Sequence, residues 1–374
     1  MYLYISLICI YLVLAIIDEK VEIKIVHNNK INKILRLIIL LSPLFITVAF
    51  RDFSVGNDTM MYKHLYENYA ELSYKLAIKS TSKEWGFISI CHLMSKMGLN
   101  YFHFQVFVAL ITYIALGRFL YKHSKNFSLS VLVFMCTLGY FRSMNISREI
   151  MAAMIALNFI DYLIKGEKIK FTIGILLSSL IHRSALIMLL LLTYDYIKKM
   201  KPLKKVFSIL GVIIAYFSVD RLMQLATKLT GQYEYLIDSK YTNSNGILAM
   251  IALIIFALLF YYIEKKYLES RPKLKVSNDG KDAYHERRSN IILYSYYICI
   301  IFGVIGLKFG LADRAVIYYS TLFTESSTHK INGNLKIVKY VLIVSLIIYY
   351  ILVMIYRNNW QGTIPFNFIN TGMI

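Results

Sequence analysis

The sequence predicts an all-α fold, a polytopic integral membrane helix bundle of about 9 to 12 transmembrane helices with short or re-entrant segments and an external polar cavity. Three observations carry that prediction. The 374 residues are 57% hydrophobic, with a mean hydropathy of +0.54. Only 17% are charged, against about 25% in ordinary soluble domains. Apolar runs of roughly 14 to 22 residues recur from one end to the other, with polar stretches too short between them for a soluble domain.

The apolar segments, in order, are 2–17, 34–50, 101–120, 127–141, 146–164, 171–197, 206–219, 247–263, 291–309 and 336–356. Segments 84–98 and 315–327 are shorter or more polar. Segment 2–17 has no basic n-region before it and no small-x-small cleavage site after it, so it reads as a retained first span. The whole chain, 1–374, reads as one integral membrane domain.

Basic residues orient the bundle, because cytoplasmic loops carry the excess of Lys and Arg. Segments 18–36, 118–125, 165–170, 198–205 and 264–290 hold 24 of them, against 13 in the longer set 51–100, 142–148, 220–246 and 308–314. The first set is placed in the cytoplasm. Then 51–100 is an external loop, and 84–98 within it is a re-entrant or interfacial helix opening at Glu84-Trp85-Gly86. Segment 171–197 has two basic flanks and His182-Arg183-Ser184 at its centre. It is either a hairpin of two short helices turning at that triplet or one long span. Residues 264–290 read as a flexible cytoplasmic loop.

The formal charge of +20 is the positive-inside signature rather than a nucleic-acid surface, since no basic stripe interleaves with aromatics. Cys9, Cys91, Cys136 and Cys299 are far apart, with no CxxC, and read as small buried hydrophobes. No histidine has a partner at zinc-ligand spacing. Neither metal nor cofactor is expected.

Five polar clusters fall on the outer face under this orientation. They are Arg51-Asp52 with Gly56, Asp58 and Tyr62; Glu84-Trp85-Gly86; Asn145 to Glu149; His182-Arg183-Ser184; and Asp313-Arg314 with Tyr318-Tyr319. Arg51, Arg148 and Arg314 each lie at a helix end, and guanidinium forks suit phosphate oxygens. Acids and a histidine nearby suit group transfer on a phosphate-bearing lipid, where cations hold a leaving pyrophosphate and a base takes a hydroxyl proton. Each residue also has a plainer reading. Arg51 with Asp52 makes an interfacial anchor, Gly56 a turn, Ser147 an N-cap, His182 a satisfied core histidine, Asp313-Arg314 a local ion pair and the tyrosines an aromatic belt.

These residues, in this order, resemble the EpsG family of Wzy-like polysaccharide polymerases. Arg51-Asp52, Val55-Gly56-Asn57-Asp58-Thr59 and Tyr62 match its first motif. Glu84 and Gly86 follow, then Arg148 before Ala152-Ala153, His182 before Ser184-Ala185, Arg314 before Tyr318-Tyr319, and Pro365-Phe366 near the end. Glu149 stands where Gln is common, and Phe366 where Tyr is common.

The resemblance implies a glycosyltransferase of the bacterial cytoplasmic membrane. It would join undecaprenyl-pyrophosphate-linked oligosaccharides into a capsular polysaccharide, exopolysaccharide or O-antigen on the outer face. Its partners would be membrane lipids and, from the same pathway, a flippase and a chain-length regulator, with no nucleic acid. In that scheme Arg51 and Arg148 hold the pyrophosphate, with Arg314 a third candidate. His182 is the general base, and Asp58 and Glu84 are alternatives for base or sugar binding. Asp52 orients Arg51, and Tyr62 and Tyr318 contact substrate. Rival readings are a lipid-linked oligosaccharide flippase, a membrane sugar O-acyltransferase using His182, and a non-enzymatic scaffold.

Overall fold

A computed structural model describes residues 1–20, 28–79, 83–200, 247–270, 281–308, 312–329, 331, 333–356 and 361–370, with Phe217 and Arg221 as isolated positions. The described residues are helical and form no strand. The expected segment 206–219, apart from Phe217, and the loop 220–246, apart from Arg221, lie outside them, as do 271–280.

The chain divides into two compact units, Met1–Met188 with Phe323–Ile374, and Leu189–Leu322. In the first unit, α1 (Tyr2–Lys20), α2 (Asn29–Ala49), α6 (Tyr101–His123) and α17 (Asn334–Tyr356) are long and apolar enough to cross a bilayer. Asparagine starts two of them. The Asn28 side chain accepts from the amides of Lys30 and Ile31, and Asn100 accepts from that of His103. These bonds satisfy amides that a first turn leaves without helical partners. Ile38, Ile39, Ile114, Val344 and Ile348 are exposed, forming the kind of surface that a bilayer covers.

The shorter elements of this unit are α3 (Thr59–Glu71), α4 (Tyr74–Lys79), α5 (Trp85–Lys96), α7 (Phe127–Cys136), α8 (Gly139–Asn145), α9 (Ser147–Leu157), α10 (Ile160–Ile164), α11 (Lys168–Ser179) and α16 (Phe323–Ser326). Several arise where the sequence predicts one continuous helix. Segment 127–141 breaks between α7 and α8, which meet at a 61° bend. Leu138 at the break has a left-handed φ of 66°. Every residue of α7 and α8 is buried, and irregular backbone at membrane depth persists only inside protein or against a cavity. Segment 146–164 breaks at Asn158, whose side-chain amide donates to the carbonyls of Ala115 and Met154. Segment 171–197 ends its α-helix at Ser179 and resumes as a 3-10 helix, Arg183–Thr193, so the break falls at the predicted triplet.

The second unit contains α12 (Tyr194–Lys199), α13 (Ile247–Ser270), α14 (Lys281–Gly306) and α15 (Ala312–Ser320), with α13 packed along α14 and α15 against α14. α13 and α14 are also long enough to span. They extend into 264–270 and 281–290, so the flanks of the expected flexible loop are helical. Among the described residues six helices are long enough to cross a membrane, or seven if α7 and α8 form one span. The remaining apolar segments among the described residues fold into shorter pieces. Of the cysteines, Cys91, Cys136 and Cys299 are buried, but Cys9 is exposed on α1.

Candidate functional site

The α2–α3 connection is built around Arg51. Its side chain is 1% exposed. The guanidinium donates to the carbonyls of Val48 and Val55 and reaches the Thr59 hydroxyl at 3.5 Å. Gln105, a polar residue inside the otherwise apolar α6, donates to the carbonyls of Ala49 and Arg51 at 3.0 Å each. Burial lowers the Arg51 pKa from its ordinary value, and these oxygens are what hold a cation there. Asp52 does not orient Arg51. Its carboxylate accepts from the Ser54 amide at 2.9 Å and hydroxyl at 2.6 Å, and those bonds keep its pKa below the usual range.

Gly56 has φ +96°, and a Cβ there would lie 2.4 Å from the Met144 carbonyl oxygen. Only glycine combines that backbone with that approach. The Asp58 amide donates to the Asn145 side chain at 2.8 Å, and Asn145 in turn donates to Gln361. The C-terminal segment closes the arrangement. Gly56 donates to the Gly362 carbonyl at 2.6 Å, Asp52 donates to Asn367 at 2.9 Å, and Arg51 bridges to Phe368. Gly56→Ala is expected to lower the thermal unfolding midpoint of the purified protein, because strain and overlap coincide. An unchanged midpoint would contradict this account of the turn.

Arg51 therefore holds backbone together, with its guanidinium buried on carbonyl oxygens rather than open to a ligand. Arg51→Met leaves the buried Val48 carbonyl without its side-chain donor, at a cost of about 1–3 kcal/mol, while the Val55 carbonyl keeps only the Thr59 hydroxyl. The expected result is a lower yield of folded protein in membranes rather than a folded but inactive protein.

A second constellation joins α5, α9 and the break after α11. Gly86 permits it, since a Cβ there would lie 2.6 Å from the Leu180 carbonyl oxygen. The first turn of α5 thus rests on the chain break, with the Phe87 amide donating to Leu180 at 3.1 Å. Glu84, at the N-cap of α5, receives the Arg183 amide at 2.9 Å on Oε1. Its Oε2 pairs with Arg148 Nη1 at 3.1 Å, and Arg183 Nε lies 3.9 Å from Oε1. The Arg148 guanidinium sits 4.6 Å above the centre of the Phe87 ring, a cation–π placement.

The neighbouring residues make a separate chain of hydrogen bonds. Ser184 Oγ donates to Glu149 Oε1 at 2.9 Å, and His182 Nδ1 is 2.5 Å from that same Oγ. An ionised carboxylate only accepts, so the Ser184 hydroxyl proton lies on its bond to Glu149, and the Ser184 amide makes a second, longer contact to Nδ1 at 3.4 Å. Arg148 and Glu149, adjacent on α9, thereby meet Glu84 and Ser184, one from each side of His182-Arg183-Ser184.

Arg148 and Glu84 are largely buried, at 7% and 9% side-chain exposure, whereas the Arg183 side chain is 55% exposed. Arg148 Nε is buried without a hydrogen-bond partner among the described residues. Tyr62 is buried at 4% and packs its ring edge on Phe87, beneath Arg148. Trp85 remains 54% exposed. Ser147 is the first residue of α9 rather than its N-cap, which is Ile146. Arg314, half-buried, and Tyr318, fully buried, belong to the second unit, on α15.

Sequence reasoning did not find the Ser184–Glu149 bond or the bracing of the Arg51 loop by Gln105, Asn145 and Gln361. A lone glutamine in an apolar segment was the available signal for Gln105. Arg142, buried at 2% on α8, was likewise not singled out. No group of three metal-ligating side chains is placed to hold an ion among the described residues.

A helical chain with six candidate spans and a bent helix pair among its described residues belongs to the multi-pass membrane proteins. The model of the EpsG family matches residues 33–368, nearly the whole chain, and the protein belongs to that family. No curated protein and no solved structure matches it.

Proposed function

We propose that the chain polymerises lipid-pyrophosphate-linked oligosaccharide repeat units on the outer face of the cytoplasmic membrane. Family membership supports a polymerase-type membrane enzyme. The observation that carries the finer reading is the adjacency of the Arg148 cluster to the His182–Ser184–Glu149 chain.

In this reading the acceptor is a sugar hydroxyl on one lipid-linked unit, and the donor is the glycan on another. The hydroxyl oxygen attacks the donor's anomeric carbon, and the bond from that carbon to the phosphate oxygen breaks. The lipid pyrophosphate leaves with the bonding electron pair. His182 takes the hydroxyl proton on Nε2 as the new bond forms. Arg148 and the exposed Arg183 face the developing charge on the phosphates. Glu84 holds both arginines, and Ser184 with Glu149 holds the imidazole in place. Arg51 supports the adjoining turn and takes no part in the transfer.

The test in cells is where intermediates accumulate when His182 is replaced by Ala. A polymerase defect leaves single repeat units on the outer leaflet and folded protein in the membrane. Accumulation on the inner leaflet would show a flippase instead, and full-length polymer lacking acyl groups would show an acyltransferase.

A further inference from the structure

The opposite end of the first unit carries a cavity that the reaction above does not use. It lies where α1 ends, α2 and α17 begin, and α6 turns into α7. Its volume is 890 Å³, within the range of ligand pockets, about 300–1,000 Å³. α2 begins there and ends next to Arg51, so its 21 residues separate the two ends by about 31 Å, one bilayer core.

Six basic side chains line this cavity, namely Lys20, Lys33, Arg36, Lys125, Lys336 and Lys339, with two acidic ones. Both acids are already engaged. Asp18 binds Arg36 at 2.6 Å and Ser128 at 2.6 Å, and Glu19 accepts from the Tyr340 hydroxyl at 2.6 Å. Lys339 is 5% exposed, and its ammonium donates at 3.2 Å to a neutral group, the His329 carbonyl. The Tyr340 ring lies 5.7 Å away, and Glu19 acts on the ammonium only from beyond ion-pair distance, so Lys339 has no close ion pair among the described residues. Positive-inside charge alone predicts lysines in water. It does not predict a buried lysine beside a cavity with a surplus of cations. A buried cation without a counter-ion is costly unless an anion joins it.

We propose that this cavity binds a phosphate-bearing ligand from the cytoplasmic side. At the level where helices leave the bilayer, the phosphate of an anionic phospholipid headgroup meets this chemistry, and so does a soluble phosphate ester. Lys339 supplies the buried charge, and Lys33 and Lys336 supply exposed charges at the mouth. The inference uses no residue of the Arg148 cluster and stands whether or not the chain is a polymerase.

The test uses the full chain in nanodiscs and follows the thermal unfolding midpoint and hydrogen exchange at 333–340. One arm raises phosphatidylglycerol in a phosphatidylcholine disc. The other adds glycerol 3-phosphate or inorganic pyrophosphate to discs of phosphatidylcholine alone. A saturable rise in midpoint with protection of 333–340 is expected, and the arm that produces it identifies the source. Lys33→Gln with Lys336→Gln should weaken the apparent affinity about tenfold, as two near-surface charges are lost. Lys165→Gln with Lys168→Gln, which removes equal charge away from the cavity, should leave it unchanged. No response in either arm overturns the proposal, and so does equal weakening by both pairs.

Discussion

Replacing His182 by Ala lowers polymer synthesis about 10²- to 10⁴-fold, the usual contribution of a positioned general base, with little change in folded protein. The small effect on folding is expected because His182 sits at a chain break, half-buried, rather than in the packed interior. The positioning chain gives the sharper reading. Ser184→Ala removes the hydroxyl that lies against Nδ1 and donates to Glu149, so the imidazole loses its side-chain anchor. It should lower kcat while leaving KM nearly unchanged. Glu149→Gln retains an acceptor oxygen for Ser184 and should reduce kcat far less than Glu149→Ala. Equal losses for Gln and Ala would show that charge at 149, and not the hydrogen bond, is what counts. Normal polymer from the His182 variant would remove it from the reaction.

Replacing Arg148 has the second large effect. Its guanidinium touches Glu84 and the Phe87 ring and has an unsatisfied Nε. On the proposed reading Arg148→Ala removes a phosphate ligand, and it leaves the buried Glu84 with only the more exposed Arg183 as ionic partner. Losing one donor to developing charge costs about 10²- to 10³-fold in kcat. Arg148→Lys keeps the charge but lacks the fork, and it should recover folding better than activity. Single-turnover assays on the lysine variant would check this. If lysine restores full rate, bidentate phosphate contact is not what Arg148 provides. Glu84→Gln separates the two roles, since it keeps an acceptor for the Arg183 amide while weakening the hold on both arginines.

The membrane class was legible because hydropathy depends only on local composition. The chain break at His182-Arg183-Ser184 was legible for a related reason, since three polar residues in an apolar run must find partners. The setting of Arg51 was not legible. From sequence, an arginine at a membrane rim with an aspartate beside it resembles an anion site. The carbonyls of Val48 and Val55 that take up its guanidinium depend on how the turn folds back, and Gln105, Asn145 and Gln361 that shape this turn are distant in sequence. Glu149 was undervalued for a similar reason. It stands where the family commonly has Gln, and its partner Ser184 is distant in sequence; the position supplies an acceptor oxygen, which either residue offers. The breaks in 127–141 and 146–164 were invisible to hydropathy, because α7 with α8 is apolar enough to pass as one span and a single Asn158 interrupts the apolar run after Glu149.

The most direct test is reconstitution of the purified protein in vesicles with a chemically defined lipid-pyrophosphate oligosaccharide and no nucleotide sugar. The account predicts a ladder of products spaced by one repeat, with one lipid pyrophosphate released per bond formed. It also predicts that the His182→Ala and Arg148→Ala proteins, folded to the same extent, yield single units only. Absence of a ladder from the wild-type protein, or the same ladder from both variants, would contradict it.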